Sequence, residues 1–250
     1  MSNIEWVAHR GYTYRYPENT EIALTAAADA GARYVEIDVQ LTADGVAVLF
    51  HDQNLQRLCG RAGAIHQLQS SELKNVKLSA PERFGYRYAQ NPIMTLQQFF
   101  NWLTNHPQVN AFVELKRISL QQFGCPAVLD AVIPLLVPLQ QQVTIISYDL
   151  EALAKVRADS LFPVGAVFDQ WHERKQKIVQ QLKPEYLFCD WHGLPRWGRV
   201  KNPWGKLAIF ECTDLAVAKN LVRRGVDLIE TFAIGEMISG EPLDEQPLWH

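Results

Sequence analysis

Residues 143–167 read VTIISYDLEALAKVRADSLFPVGAV and contain the unit that decides the fold. Two short apolar runs, residues 143–147 and 164–167, flank an amphipathic segment at 150–158. Asp149 stands directly before that segment and is a candidate helix N-cap. The pattern predicts strand, helix, strand, and a helical crossover of this length makes the two strands parallel.

The same alternation continues through most of the chain. Further strands are predicted at residues 4–8, 34–39, 111–115, 186–189, 207–210 and 226–229, and further helices at 19–30, 96–103, 125–139, 171–182, 214–224 and 234–238. Roughly eight main strands predict a (β/α)8 TIM barrel. A doubly wound open sheet is the alternative, but no Gly-x-Gly-x-x-Gly turn follows the first strand.

The segment after the second strand departs from this rhythm. Asp44-Gly45 precedes a short apolar run at 46–50, which indicates a hairpin. Residues 53–92 are irregular and are predicted to form a small insertion or lid, with one short helix near 70–76. No linker divides the 250 residues, so a single domain over 1–250 is expected.

Composition excludes some classes of function. The formal net charge is -3 and the pI about 6.2, whereas a nucleic-acid-binding protein is expected to carry a basic surface. The sequence shows no signal peptide and no apolar run long enough to span a bilayer, so a cytoplasmic location without membrane insertion is expected. The four scattered cysteines, at 59, 125, 189 and 212, are expected to be free thiols.

Titratable side chains lie in or directly after four of the predicted strands, where a lone buried charge is costly. Glu36 and Asp38 are two residues apart, so both side chains leave the same face of a strand, as do those of Glu114 and Lys116. Active residues of a barrel collect at the carboxyl ends of its strands. The set expected there is His9, Arg10, Glu36, Asp38, His51, Asp52, Glu114 and Lys116.

These residue types point to phosphoryl chemistry. Glu36, Asp38 and Glu114 would form an oxygen site that suits Mg²⁺ or Ca²⁺ better than Zn²⁺. The two histidines could act as general acid and base near neutral pH. Arg10 and Lys116 supply positive charge for an anionic oxygen.

Several runs together resemble the glycerophosphodiester phosphodiesterase family. They are His9-Arg10-Gly11, Pro17-Glu18-Asn19-Thr20, Val35-Glu36-Ile37-Asp38-Val39, Thr42-Ala43-Asp44-Gly45, His51-Asp52, Leu55-Gln56-Arg57, Ile93-Met94-Thr95-Leu96, Glu114-Leu115-Lys116 and Gly225-Val226-Asp227. The resemblance covers most of the chain and its N-terminal motifs are specific in combination.

The resemblance implies the same barrel, with a small insertion after the second strand. It implies a divalent cation on the phosphate, held by Glu36, Asp38 and Glu114, and acid/base roles for His9 and His51. Arg10 and Lys116 would contact the phosphate. The implied substrates are glycerophosphodiesters, such as deacylated phospholipids, which would yield sn-glycerol 3-phosphate and an alcohol.

The C-terminal part departs from the family pattern. Residues 209–214 replace a segment that commonly resembles Trp-Thr-Val-Asn, and Glu230-Thr231-Phe232 stands where the family usually has Thr-Asp after the last strand. Glu211 is a spare acid at a strand end and is predicted to contact the alcohol group of the substrate.

Two alternatives stay open from the sequence. The first is a barrel that binds phosphodiesters or a protein partner without turnover. The second is a phospholipase D-like phosphodiesterase, which would need a membrane surface that no basic amphipathic helix here serves. The sequence leaves open the choice between Mg²⁺ and Ca²⁺, the assignment of acid and base, the head group, the nucleophile and the oligomeric state.

Overall fold

A computed structural model describes residues 4–243 of the chain. Its strands are β1 (Glu5–His9), β2 (Tyr34–Leu41), β3 (Ala47–Leu49), β4 (Asn110–Leu115), β5 (Val143–Ser147), β6 (Val164–Phe168), β7 (Tyr186–Asp190), β8 (Lys206–Phe210) and β9 (Leu228–Thr231). All neighbouring pairs except β2–β3 are parallel, and β1 pairs with both β2 and β9. Eight parallel strands therefore close into a barrel, as predicted.

Helices connect most of the parallel strands. They are α1 (Glu21–Asp29), α2 (Gln56–Cys59), α3 (Pro81–Phe84), α4 (Leu96–Thr104), α5 (Arg117–Phe123), α6 (Cys125–Leu136), α7 (Leu150–Asp159), α8 (Lys177–Leu182), α9 (Leu215–Arg224) and α10 (Ile234–Ser239). The side chains of Thr95 and Asp149 accept hydrogen bonds from backbone N–H groups in the first turns of α4 and α7. Both residues are the N-caps that the sequence predicts.

Two layers of apolar packing hold the barrel. Outside it, helix residues such as Leu24, Phe99 and Leu153 pack against outward-facing strand residues. Inside it, seven strands contribute one residue each to a closed cluster: Val7, Phe112, Ile146, Val167, Phe188, Ala208 and Leu228. The interior is thus a packed core rather than a pore, which leaves the carboxyl ends of the strands as the place for polar groups.

The excursion after β2 matches its prediction. β3 pairs antiparallel with β2, with Val39 opposite Leu49, and closes the predicted hairpin. Residues 53–92 contain only short helical turns and pack around a small core of their own, which includes Phe50, Leu58, Val76 and Ile93. This small insertion contacts the loop between β1 and α1, where Arg83 donates a hydrogen bond to the Tyr14 carbonyl oxygen.

The main differences from the sequence-based predictions concern one additional helix, one divided helix and one displaced strand. Helix α5 directly follows β4 and was not predicted, because its seven residues are too few to show a clear period. The helix predicted at 171–182 is a 3-10 turn at Trp171–Lys175 followed by α8. The last strand, β9, begins at Leu228, two residues later than predicted. The Asp227 side chain before it accepts a hydrogen bond from the Leu207 backbone N–H, and strand pairing starts only after this contact.

The cysteines form no disulfide among the described residues. All four cysteines are free thiols, with Cys189 and Cys212 buried.

Within residues 4–243, no single helix is both long and apolar enough to cross a bilayer. One pair, Arg117–Phe123 and Cys125–Leu139, reaches the required length and composition only together and is bent by 119°.

Candidate active site

The carboxyl-end mouth of the barrel is lined mostly by acids. Side chains alternate along a strand, so the residue two positions after each interior apolar residue also points inward. At the mouth this rule gives His9 after Val7, Glu114 after Phe112 and Glu230 after Leu228. Asp169 and Asp190 follow Val167 and Phe188 in the same way.

Glu36, Asp38 and Glu114 meet on the β2–β4 side of this mouth. In the strand register Asp38 lies opposite Glu114, and Glu36 lies opposite His9 of β1. The three side chains are nearly or fully buried, and each offers an oxygen within 4.8 Å of the others' oxygens. The structure therefore brings together the three residues that the sequence predicts as ligands of a divalent cation.

Arg10 and Lys116 neutralise much of this negative charge. Lys116 Nζ lies 3.1 Å from Asp38 Oδ1 and 3.0 Å from Glu114 Oε1. Arg10 Nε lies 3.0 Å from Asp38 Oδ2. Burial alone would raise the pKa of Asp38, but Lys116 and Arg10 outweigh it and hold that pKa well below its ordinary value.

Glu36 is the exception in this cluster. It is 3% exposed, and neither of its carboxylate oxygens has a hydrogen-bond partner among the described residues. Burial, together with the nearby Asp38 carboxylate, raises its pKa well above the ordinary value. A buried carboxylate without a partner is costly, and three converging oxygen donors fit a hard divalent cation, so the residues present fit such an ion.

The backbone around Arg10 is held in an unusual conformation. Arg10 has φ 56°, in the left-handed region, which costs a non-glycine residue about 1–3 kcal/mol. The next residue, Gly11, has φ 88° and runs so close to α1 that a Cβ there would lie 2.7 Å from the Ala23 carbonyl carbon. This tight turn aims the guanidinium of Arg10 back at Asp38.

Asn19 holds the Arg10 turn and Asp38 together through hydrogen bonds. Its side chain donates to Asp38 Oδ2 at 2.9 Å and accepts from the Asp38 backbone N–H at 3.2 Å. Its own backbone N–H donates to the Arg10 carbonyl oxygen at 2.9 Å. Asn19 is fully buried, so it fixes the position of Asp38 and of the turn rather than facing a ligand.

His51 belongs to a chain of ion pairs that leads back to Arg10. Its Nδ1 lies 2.9 Å from Asp52 Oδ1. Arg57, from the insertion, donates to both Asp52 and Glu18, and Glu18 also accepts from Arg10 at 2.9 Å. Burial would raise the pKa of Glu18, but the two arginines lower it to about 2.

The loop that carries His51 is fixed by a buried amide. The Gln40 side chain donates to three successive carbonyl oxygens, of Phe50, His51 and Asp52, at 2.8–3.0 Å. Gln40 is 1% exposed and belongs to β2, the strand that carries Glu36 and Asp38. One strand thus positions both the acidic cluster and one of the two histidines.

His9 faces two acids from β8 and β9. Its Nδ1 lies 3.1 Å from Glu211 Oε1, which places Glu211 beside a histidine at the mouth. Burial lowers the pKa of His9, but the carboxylates of Glu211 and Glu230 outweigh it and raise that pKa above its ordinary value. Burial and the Glu211 carboxylate raise the pKa of Glu230 to about 7.

Sequence reasoning missed two members of this site. Glu230 was read as lying beyond the last strand, whereas it lies within β9 and its buried carboxylate points into the mouth. Its signal was available, because an acid inside an apolar run is the same feature that singled out Glu36. Gln40 gave no such signal, since a single glutamine in a strand is ordinary.

A sequence model of the Glycerophosphoryl diester phosphodiesterase family matches residues 9–194, which include the charged residues and histidines of this site except Glu211 and Glu230. The chain belongs to this family. Its barrel and the motif residues gathered at the mouth agree with the resemblance found in the sequence.

Named relatives match a shorter part of this family member. A glycerophosphodiester phosphodiesterase of Caldanaerobacter subterraneus is 39% identical over 94 residues, which is 38% of this chain and 38% of that protein. Human glycerophosphodiester phosphodiesterase 1 is 32% identical over 113 residues, 45% of this chain and 34% of that protein. These matches therefore span little more than a third of each relative.

Solved structures of similar fold cover nearly the whole chain. A phosphodiesterase from Oleispira antarctica, described in complex with the product sn-glycerol-3-phosphate, has a TM-score of 0.80 at 24% identity and covers 94% of this chain and 95% of its own. A glycerophosphodiester phosphodiesterase from Agrobacterium tumefaciens has a TM-score of 0.75 at 20% identity, with 95% and 100% covered. At these identities the likeness supports the fold.

Proposed function

We propose that this family member hydrolyses glycerophosphodiesters to sn-glycerol 3-phosphate and an alcohol. The observation that carries the proposal is a buried triad of carboxylates, Glu36, Asp38 and Glu114, together with two histidines that each lie against an acid. Arg10 and Lys116 are the groups proposed to face the phosphate, and their side chains keep 16% and 14% of their surface exposed, so a small diester can reach them.

The carboxylate triad would hold a divalent cation, Mg²⁺ or Ca²⁺. When bound, such a cation supplies positive charge for a non-bridging phosphate oxygen. Arg10 and Lys116 orient the phosphate through charge-assisted hydrogen bonds. Asp38 contacts both Arg10 and Lys116 and so fixes the guanidinium and the ammonium group relative to each other.

The two histidines carry the proton transfers. One removes a proton from the nucleophile, either water or the substrate's own neighbouring hydroxyl, as the new P–O bond forms, and the other protonates the departing alkoxide as the old P–O bond breaks. If the substrate's hydroxyl attacks, water then opens the cyclic phosphate with the same two proton transfers and yields sn-glycerol 3-phosphate. Asp52 and Glu211 each hold an Nδ1 atom and so leave the Nε2 atom of each ring for these transfers. Glu211, at the edge of the mouth, would also meet the alcohol group.

The test is release of glycerol 3-phosphate from diesters with choline, ethanolamine, glycerol and inositol head groups, each in EDTA, Mg²⁺ and Ca²⁺. We expect turnover that vanishes in EDTA and returns with one cation. Early ³¹P spectra of the reaction would show a cyclic phosphate if the substrate's own hydroxyl attacks, and none if water attacks. No turnover on any head group with either cation would instead favour a barrel that binds without catalysis.

A further inference from the structure

A second group of donor atoms lies beside the carboxylate triad. It consists of His9, Glu36 and Glu230, whose donor atoms all lie within 4.8 Å of one another. Glu36 belongs to both groups and has two oxygens, neither of which has a hydrogen-bond partner among the described residues. One oxygen can therefore serve each group.

Glu230 has one carboxylate oxygen in the same state. It is 4% exposed, and within the described part of the chain its Oε1 atom accepts no hydrogen bond. Leaving a buried carboxylate oxygen unpaired costs free energy, and two such carboxylates that face one another cost more. A cation between them removes both penalties.

The donor set differs in kind from that of the triad. The triad offers oxygen alone, which suits Mg²⁺ and Ca²⁺, whereas this group adds an imidazole nitrogen. One histidine and two carboxylates with a fourth position open is a set that Zn²⁺ accepts. Glu211 Oε1 lies 3.1 Å from His9 Nδ1, where a metal-binding histidine usually has a carboxylate beside its other ring nitrogen.

We propose that His9, Glu36 and Glu230 form a Zn²⁺ site whose occupation inhibits the enzyme. Zn²⁺ bound there uses the ring nitrogen that His9 needs for proton transfer, so catalysis stops while the oxygen site stays available to Mg²⁺ or Ca²⁺. The inhibitory consequence rests on the proposed function, but the binding site itself does not.

Zn²⁺ binding is measured first, by equilibrium dialysis of the full chain in excess Mg²⁺. We expect one Zn²⁺ per chain, and we expect Glu230→Gln to weaken that binding by about tenfold or more, since loss of even an outer partner of a metal ligand costs about 10–100-fold. Glu185→Gln, which changes a glutamate before β7 at the opposite end of the barrel, should bind Zn²⁺ like the unmodified chain. Equal Zn²⁺ affinity in Glu230→Gln and the unmodified chain would overturn the site. Failure of the unmodified chain to bind Zn²⁺ in excess Mg²⁺ would overturn it as well.

Co²⁺ substitution provides a readout that needs no variant and no turnover. Visible absorption of Co²⁺ bound to the unmodified chain should have the strong bands of four-coordinate Co²⁺. Weak six-coordinate bands alone would contradict the proposal even if Glu230→Gln failed to fold.

Turnover supplies the last arm. Hydrolysis by each protein is measured relative to its own rate without Zn²⁺, and Glu230→Gln should need about ten times more Zn²⁺ for half inhibition than the unmodified chain. Zn²⁺ inhibition that is identical in both proteins would count against the site. Absence of any hydrolysis would contradict the proposed function, while dialysis and the Co²⁺ spectrum would still decide the site.

Discussion

The two sides of the barrel mouth differ in how their charges are matched. On the β2–β4 side, Asp38 contacts both Arg10 and Lys116, and Glu114 shares Lys116. On the β8–β9 side, Glu211 contacts His9, and Glu230 keeps an oxygen without a partner. Paired buried charges satisfy one another in the fold, whereas an unpaired one marks a place where a ligand would lower the free energy.

Glu36 lies at the boundary between these two sides. It shares a strand face with Asp38, yet no cation of the described chain contacts it. Two carboxylates on the same strand therefore have different surroundings: Asp38 lies inside an ion-pair network, and Glu36 faces an open position. Replacing each of them by its uncharged amide should show this difference.

The largest effect is expected from Glu36→Gln and Asp38→Asn, both of which alter the proposed cation site. A bound cation contributes several kcal/mol to charge stabilisation, so each variant should lose on the order of 10³-fold or more in turnover. In EDTA the two should differ in unfolding free energy. Asp38→Asn leaves Arg10 and Lys116 poorly matched and should cost about 3–5 kcal/mol, whereas Glu36→Gln should cost nothing or stabilise.

Urea denaturation of both variants in EDTA, beside the unmodified chain, measures this difference. Equal destabilisation of the two variants would show that Glu36 is paired in solution and would remove the distinction between the two acids.

The next effect concerns the two histidines. His9→Ala and His51→Ala should each lower kcat by about 10²–10⁴-fold, the usual range for a general acid or base. Each substitution should also remove one limb of the bell-shaped dependence of kcat/KM on pH, and the limb that disappears assigns acid and base. A His51→Ala enzyme with near-normal turnover would contradict its proposed role.

Smaller losses are expected from the acids that hold these rings. Asp52→Asn and Glu211→Gln keep the size of each side chain but weaken its hold on Nδ1, and misplacement of a catalytic group costs up to about 10²-fold. Asp52→Asn should change turnover alike for all head groups. Glu211→Gln should also change the order of preference among choline, ethanolamine, glycerol and inositol diesters, and an unchanged order would remove Glu211 from the alcohol site.

The smallest effect is a pH-dependent change in stability from Glu230→Gln in EDTA. The pKa of Glu230 rises from 4.5 to about 7 in the fold, so the folded state keeps a proton that the unfolded state loses. The penalty is absent below about pH 4.5, grows as the pH rises to about 7 and is then complete. The variant should therefore gain on the order of 3 kcal/mol over the unmodified chain at pH 8 and less than about 1 kcal/mol at pH 5.

Thermal melts across this pH range test the prediction, with Glu185→Gln as the control. The Glu185 carboxylate pairs with Arg157 and its pKa is lowered, so that control should lose stability by nearly the same amount at pH 5 and pH 8. A gain for Glu230→Gln that is the same at pH 5 and pH 8 would show that the carboxylate of Glu230 is ordinary.

Much of the fold could be predicted from the sequence, because parallel strands and their helices have distinct periods. Val143–Ser147 was placed to the residue, since a run of apolar residues ends there at a cap. The last strand was placed two residues early, because Val226 and Asp227 look like strand residues and only contact with Leu207 shows where pairing starts. That small shift concealed Glu230.

The sequence by itself determined which residues could share a face. Glu36 with Asp38, and Glu114 with Lys116, follow from the two-residue repeat of a strand, which depends only on local backbone geometry. Only the tertiary structure decided which charges meet. Closure of the barrel sets β9 beside β1 and so brings Glu230 to His9 and Glu36, more than 190 positions away along the chain, through packing that no local pattern encodes.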